Sequence, residues 1–155
     1  MLRMLIVFII LNFYNTASSS VKKQIISQLQ LTENLSFDFI QTINDKSENG
    51  KCIIKYSRKI WCEYNNSNKK VIISNGKSLV IKNTNSKNYY IYPLKKTPLE
   101  FLLDKEYLIY KLNILEPKEV NNKYLNFKIL ENNSEINVFF DMKSLSLVGW
   151  QTEDI

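Results

Sequence analysis

Residues 21–34 carry apolar side chains at helical spacing. Val21, Ile25, Ile26 and Leu29 fall on one face and Lys22, Lys23 and Gln30 on the other, with Ser20 placed to cap the first turn. The period then switches to two: in the run Ser36–Ile43, the residues Phe37, Phe39, Gln41 and Ile43 share one face of a strand. The stretch Asn44–Gly50 is polar and reads as a turn. Short apolar runs follow at about 51–56, 60–65, 69–74, 78–83 and 88–93, and again at about 107–115, 123–130, 135–140 and 145–151. Asn75-Gly76, inside Ser74–Lys77, is the clearest hairpin signal among the intervening turns. Short strands at such regular spacing predict an antiparallel sheet, curled or sandwiched, in a single domain without repeats or linkers.

One segment interrupts the strands. Thr97-Pro98-Leu99-Glu100 has the form of a capping box with proline at the first helical position. Leu99, Leu102 and Leu103 then form an apolar stripe on a helix of about two turns. So short a helix is unstable alone, so the stripe must rest on an apolar surface.

Composition narrows the chemistry. The 155 residues fit one domain with a sizeable core, and an apolar fraction of 45% argues against disorder. There is no histidine, which removes the commonest general base, the usual zinc ligand and every Ser-His-Asp or Cys-His arrangement. Three glycines leave no Gly-rich phosphate loop. Asp38, Asp45, Glu48, Glu63, Asp104 and Glu106 show no spacing that sets them apart from a solvated surface. No catalytic residue, metal site or cofactor is expected. The net charge of +6 comes almost wholly from lysine, since the only arginines are Arg3 and Arg58. Nucleic-acid binders rely on arginine for bidentate contacts, so no nucleic-acid partner is expected; anionic lipid headgroups or acidic protein surfaces suit the lysines better.

The first twenty residues read as a secretory signal peptide: Arg3, the apolar run Met4–Leu11, and small residues at 16–20 with cleavage expected within 17–20. The run is too short to span a bilayer, which takes about 20 apolar residues. The first cysteine is Cys52, so no lipid-bearing cysteine stands at the cleavage site. A soluble, unanchored, exported chain of residues 21–155 is the expectation.

Cys52 and Cys62 are symmetric about Ser57. In a hairpin centred there they face one another, with Cβ atoms about 4.5–5.5 Å apart, close enough to bridge in an oxidising compartment. Two small buried thiols that never oxidise fit the same pattern, and the sequence leaves both open. Strand parity puts Cys52, Ile54, Tyr56, Ile60, Cys62 and Tyr64 on one apolar side, and Ile53, Lys55, Trp61 and Glu63 on a mixed one.

In this order the segments resemble the outer-membrane lipoprotein carrier protein family (LolA-like). Phe37-Asp38-Phe39-Ile40-Gln41-Thr42 is similar to the family's F-x-x-F-x-Q strand after the first helix. The strand-turn-strand around Lys55-Tyr56-Ser57-Arg58 follows, then Ser74–Leu79 resembles S-D-G-K-x-L. Thr97–Leu103 resembles the T-P-x-x-L-L lid segment, and Leu147–Trp150 sits where the family has a late strand. The resemblance covers residues 21–155 and implies an α+β fold, mainly β. That fold is an unclosed, strongly curved antiparallel β-barrel covered by an N-terminal helix and a short lid helix.

The resemblance implies a monomeric periplasmic carrier. It would take acylated lipoproteins from a lipoprotein-releasing transporter in the inner membrane to an outer-membrane receptor. The acyl chains would lie in a hollow lined by Phe37, Phe39, Ile54, Ile60 and Tyr64 on the sheet side and by Leu99, Leu102 and Leu103 on the lid side. Two departures stand out. The family has Arg-Pro at the turn after the second strand, with the arginine holding the lid; here Tyr56-Ser57 stands there with Arg58 two residues on, so the lid-contact role of Tyr56 and Arg58 is open. Family members also continue with further strands, so the chain reads either as a fragment or as a short version with an exposed sheet edge. The competing reading is an exported, non-enzymatic lipid- or lipoprotein-sensing adaptor built on the same half-barrel.

Overall fold

A computed structural model describes residues 16–56, 58–66, 69–86, 88–131 and 134–152, with the backbone alone at 16–19. The signal peptide expected over residues 1–20 lies, for residues 1–15, outside the described residues, as does Ser57 at the centre of the expected hairpin.

Helix α1 (Thr16–Leu31) is followed by six strands: β1 (Asn34–Ile43), β2 (Lys46–Lys55), β3 (Lys59–Tyr64), β4 (Lys70–Asn75), β5 (Ser78–Asn83) and β6 (Tyr89–Pro93). A 3-10 turn at Leu94–Lys96 leads into α2 (Leu99–Leu103) and α3 (Lys105–Ile114), and the chain closes with β7 (Lys118–Val120), β8 (Tyr124–Glu131), β9 (Ser134–Asp141) and β10 (Leu147–Thr152). The strands form two antiparallel sheets, one six-stranded in the order β1-β2-β3-β4-β5-β6 and one four-stranded in the order β10-β9-β8-β7. Neither closes into a barrel. The expected mainly β, unclosed architecture with covering helices is therefore the observed one.

Two features join the sheets. Phe37 on β1 meets Trp150 on β10 edge to face, ring centres 6.2 Å apart. A single apolar core then runs from Ile54, Ile60 and Leu79 of the large sheet, through Leu102, Leu108 and Leu112 of the helices, to Phe127, Val138 and Phe140 of the small one. Burial of each such side chain contributes about 1.5–3 kcal/mol, which fixes the helices on the sheets. Polar contacts orient α1: Lys105 donates to the carbonyls of Gln30 (3.1 Å) and Thr32 (3.3 Å) at its C-terminal end, and Lys22 donates to the carbonyl of Leu115 (2.6 Å) beyond α3.

Four local expectations are corrected. The run at 107–115 is helix, not strand. Tyr-Leu-Ile-Tyr reads as a strand by itself, but Leu108 and Leu112, four residues apart, are both fully buried, and the Asp104 side chain accepts from the Tyr107 N–H to cap the helix. The turn expected over Asn44–Gly50 contracts to Asn44-Asp45. Both have positive φ (47° and 63°), so β2 begins at Lys46, paired with Ile43. Asn and Asp tolerate the left-handed region well enough to build the two-residue hairpin turn that more often uses glycine. Ser20 lies inside α1, which starts at Thr16 and ends at Leu31 rather than 34. The Thr97–Glu100 capping box does not form: the Thr97 hydroxyl donates to the Leu94 carbonyl (2.8 Å), and the Glu100 carboxylate is engaged elsewhere.

Gly50 on β2 stands where the sheet is tightest. A Cβ there would lie 2.1 Å from the Glu63 carbonyl oxygen and 2.8 Å from the Phe39 ring, which covers it. Gly50→Ala is expected to cost about 1–3 kcal/mol, an overpacking penalty, read as a lowered urea midpoint at unchanged slope.

Candidate functional site

The register of the large sheet, with the burial of its side chains, sets the face turned towards the helices, here called the concave face. One row across the six strands is Leu35, Ile54, Ile60, Ser74, Leu79 and Tyr92. The next is Phe37, Cys52, Cys62, Ile72, Ile81 and Tyr90. Cys52 and Cys62 are joined as a disulfide in the middle of that second row, with Cα atoms 4.1 Å apart, the close approach of a non-hydrogen-bonded antiparallel pair. A third row adds Phe39, Gly50 and Tyr64, with Phe39 and Tyr64 edge to face at 4.8 Å. The face then ends in polar groups. The Tyr64 hydroxyl donates to Gln41 (2.6 Å), Lys70 lies 3.8 Å from the centre of the Tyr64 ring, and Glu48 binds both Lys70 and Asn66. The hydrogen bond from Lys70 holds the Glu48 carboxyl below the usual carboxylate range.

Helices cover part of this face. Ile54, Ile60 and Tyr64 are buried, Phe37 and Phe39 half-buried; from the other side Leu102 and Leu103 of α2 are buried and Leu99 half-buried. The structure thus brings the eight residues singled out by resemblance into one cluster. Towards β6 the cover runs out: Ile72 and Ile81 are half-buried, while Tyr90 and Tyr92 are 62% and 45% exposed. This apolar floor continues beyond the helices.

Leu102 and Leu103 of α2 are fully buried within this cluster. Two pockets lie beside this cluster, one of them at the margin of α2. One of about 290 Å³ is lined by Tyr56, Arg58, Leu103, Asp104, Lys105 and Glu106. Another, of about 180 Å³, lies between the end of α1, the start of β1 and the β9–β10 turn. Neither exceeds the lower bound for small-molecule sites, about 300 Å³. Tyr56 lines both. Its hydroxyl is buried without a hydrogen-bond partner among the described residues, and burial pushes its pKa up to about 12, so the phenol is neutral throughout the physiological range.

Arg58 fastens the cover. It occupies the β2–β3 turn with φ 67°, and the Ser74 hydroxyl donates to its carbonyl (3.0 Å). Its guanidinium reaches across to α2: Nη1 is 2.9 Å from Glu100 Oε1, and Nη2 binds Asp104 Oδ2. Asp104 therefore caps α3 with one oxygen and holds Arg58 with the other. That hydrogen bond raises the arginine pKa further above its ordinary value. The Arg58 side chain is 44% exposed, so each ion pair is worth about 0.2–1 kcal/mol, enough to bias the cover but not to lock it.

The sequence reading missed the acidic partners and the open floor. Glu100 was assigned to a cap and Asp104 to a solvated surface; both face Arg58 because α2 folds back over the β2–β3 turn, a contact 42–46 residues away along the chain. Tyr90 and Tyr92 lie in an apolar run, and only the register shows that they extend the Cys52 and Ile54 rows.

The family model for the outer membrane lipoprotein carrier protein LolA matches residues 30–155, most of the chain. No individual curated protein matches it.

Replacing Arg58 by Gln releases both carboxylates from their cation. Amide hydrogen exchange in Leu99–Leu103 should accelerate several-fold, by the worth of two half-exposed ion pairs, with exchange in β8 and β9 unchanged. Equal acceleration throughout would show that Arg58 stabilises the whole fold rather than the cover.

Proposed function

The chain belongs to the outer membrane lipoprotein carrier protein LolA family, and on that premise we propose that it binds lipoprotein acyl chains on the concave face beneath α2 and carries them through the periplasm. The lipoprotein-releasing transporter of the inner membrane loads it and an outer-membrane receptor unloads it. The observation that carries this reading is the apolar concave face with a five-residue helix fastened over it by one half-exposed arginine.

Each methylene withdrawn from water contributes about 0.8 kcal/mol, so several long acyl chains in water represent tens of kcal/mol. A carrier must offset most of that and still let go. On this reading Leu99, Leu102 and Leu103 occupy the acyl site when no cargo is present. Cargo takes their place on Phe37, Phe39, Ile54, Ile60 and Tyr64, and the uncovered floor at Ile72, Ile81, Tyr90 and Tyr92 gives the first foothold. Because the leucines compete for the same surface, net affinity is the difference between two apolar contacts. Release then needs only the return of α2 to its contacts with Tyr56 and Arg58. The N-terminal leader directs export, and the oxidising periplasm is the compartment in which Cys52 and Cys62 stay joined.

The direct test incubates the protein with spheroplasts that are synthesising lipoproteins and measures lipoprotein in the supernatant. The wild-type chain is expected to release it. Ile81→Glu, which places a carboxylate on the floor outside the closed core, is expected to reduce release at least tenfold with little change in thermal stability. Lipoproteins that stay on the spheroplasts with the wild-type chain overturn the carrier reading.

A further inference from the structure

The opposite face of the large sheet carries an uncovered apolar row between charged ones. Its register aligns Ile53, Trp61, Ile73, Val80 and Ile91, one from each of β2–β6, as a continuous apolar row. With strands about 4.8 Å apart the row is about 19 Å long. Four of its members are large and in water: Ile53 48% exposed, Trp61 52%, Ile73 44% and Ile91 58%. A solvated sheet face ordinarily alternates towards polar residues here, so a row this long marks a contact surface.

The charges beside it identify the contact. In the next row, on the same face, Lys55 stands directly opposite Lys59. Like charges in that position destabilise a sheet. Neither forms an ion pair among the described residues, and the same holds for exposed Lys77 in the β4–β5 turn and for exposed Lys95 and Lys96 just after β6. On the other flank Lys51 meets Asp38 at 3.9 Å and faces Glu63, and Lys82 has no ion pair among the described residues. The arrangement is an amphipathic aromatic and aliphatic stripe edged on one side by lysines without an ion-pair partner among the described residues. Tryptophan and isoleucine enter the headgroup boundary while lysine stems reach to the phosphates beside them.

We propose that this outer face docks on an anionic phospholipid surface, leaving the concave face and α2 free. The docking is distinct from cargo binding and holds whether or not the concave face carries acyl chains. It also accounts for the unfavourable Lys55–Lys59 pairing, which lowers the stability of the free protein and is relieved by lipid phosphate.

The test uses the protein purified from the periplasmic fraction and sedimented with vesicles of phosphatidylethanolamine and phosphatidylglycerol, or of phosphatidylcholine alone. Partition onto the anionic vesicles is expected, falling with added salt, with a blue shift of Trp61 emission in a Trp150→Phe background. Trp61→Ser with Ile73→Ser should abolish the partition. Lys55→Gln and Lys59→Gln should each weaken it about fivefold, the equivalent of about 1 kcal/mol per lysine, while raising the melting temperature of the free protein. Absence of partition, or partition that these substitutions leave unchanged, overturns the proposal. Self-association that Trp61→Ser with Ile73→Ser removes, with no vesicle binding, also overturns it and assigns the row to a second copy of the chain.

Discussion

A sheet whose inward side chains are almost all apolar has to be shielded, and the nature of the shield decides what the molecule can do. Here the rows through Cys52 and Ile54 leave a broad greasy floor, and three helices of unequal hold lie across it. Helix α1 is tied by Lys22 and Lys105, and α3 is held to the small sheet by Tyr107 and Lys111, both on Glu131 of β8. Helix α2 has five residues, too few to persist without its leucines against the floor. Stability is thus graded across the cover, and the weakest part is the segment fastened at the β2–β3 turn.

The grading has a chemical origin in one turn. Arg58 adopts a left-handed backbone, which directs its guanidinium off the end of the hairpin towards α2 rather than back along the strands. Carboxylates on both sides of Leu102 and Leu103 receive it, so fastening and helix capping share one residue, Asp104. A half-solvated ion pair of this kind is strong enough to define a resting arrangement and weak enough for thermal opening.

Much of this was legible in the order of residues. Parity alone separated Cys52, Ile54, Tyr56, Ile60, Cys62 and Tyr64 from their neighbours, and all six are buried. The short leucine helix and the Asn75-Gly76 hairpin were equally plain, because each is set by local chemistry. What failed was non-local or ambiguous. The apolar run at 107–115 reads as a strand by itself, and the burial of Leu108 and Leu112 together with the Asp104 cap selects helix. The Thr97–Glu100 motif had the right letters, yet Arg58 outcompeted the cap for the Glu100 carboxylate. The alignment of Trp61 with Ile73, Val80 and Ile91 depends on register across several hairpins, which no single strand encodes.

The covalent link between Cys52 and Cys62 has a mechanical consequence. It pins β2 to β3 at the middle of the floor, beside the hairpin that presents Arg58. Pressure from anything wedged between helices and sheet therefore cannot part those two strands, and is relieved by lifting α2. Thiol oxidation in this fold acts as a stiffener: it makes one wall an anvil and leaves all the compliance to the other, so the same bond that hardens the protein also chooses the direction in which it yields.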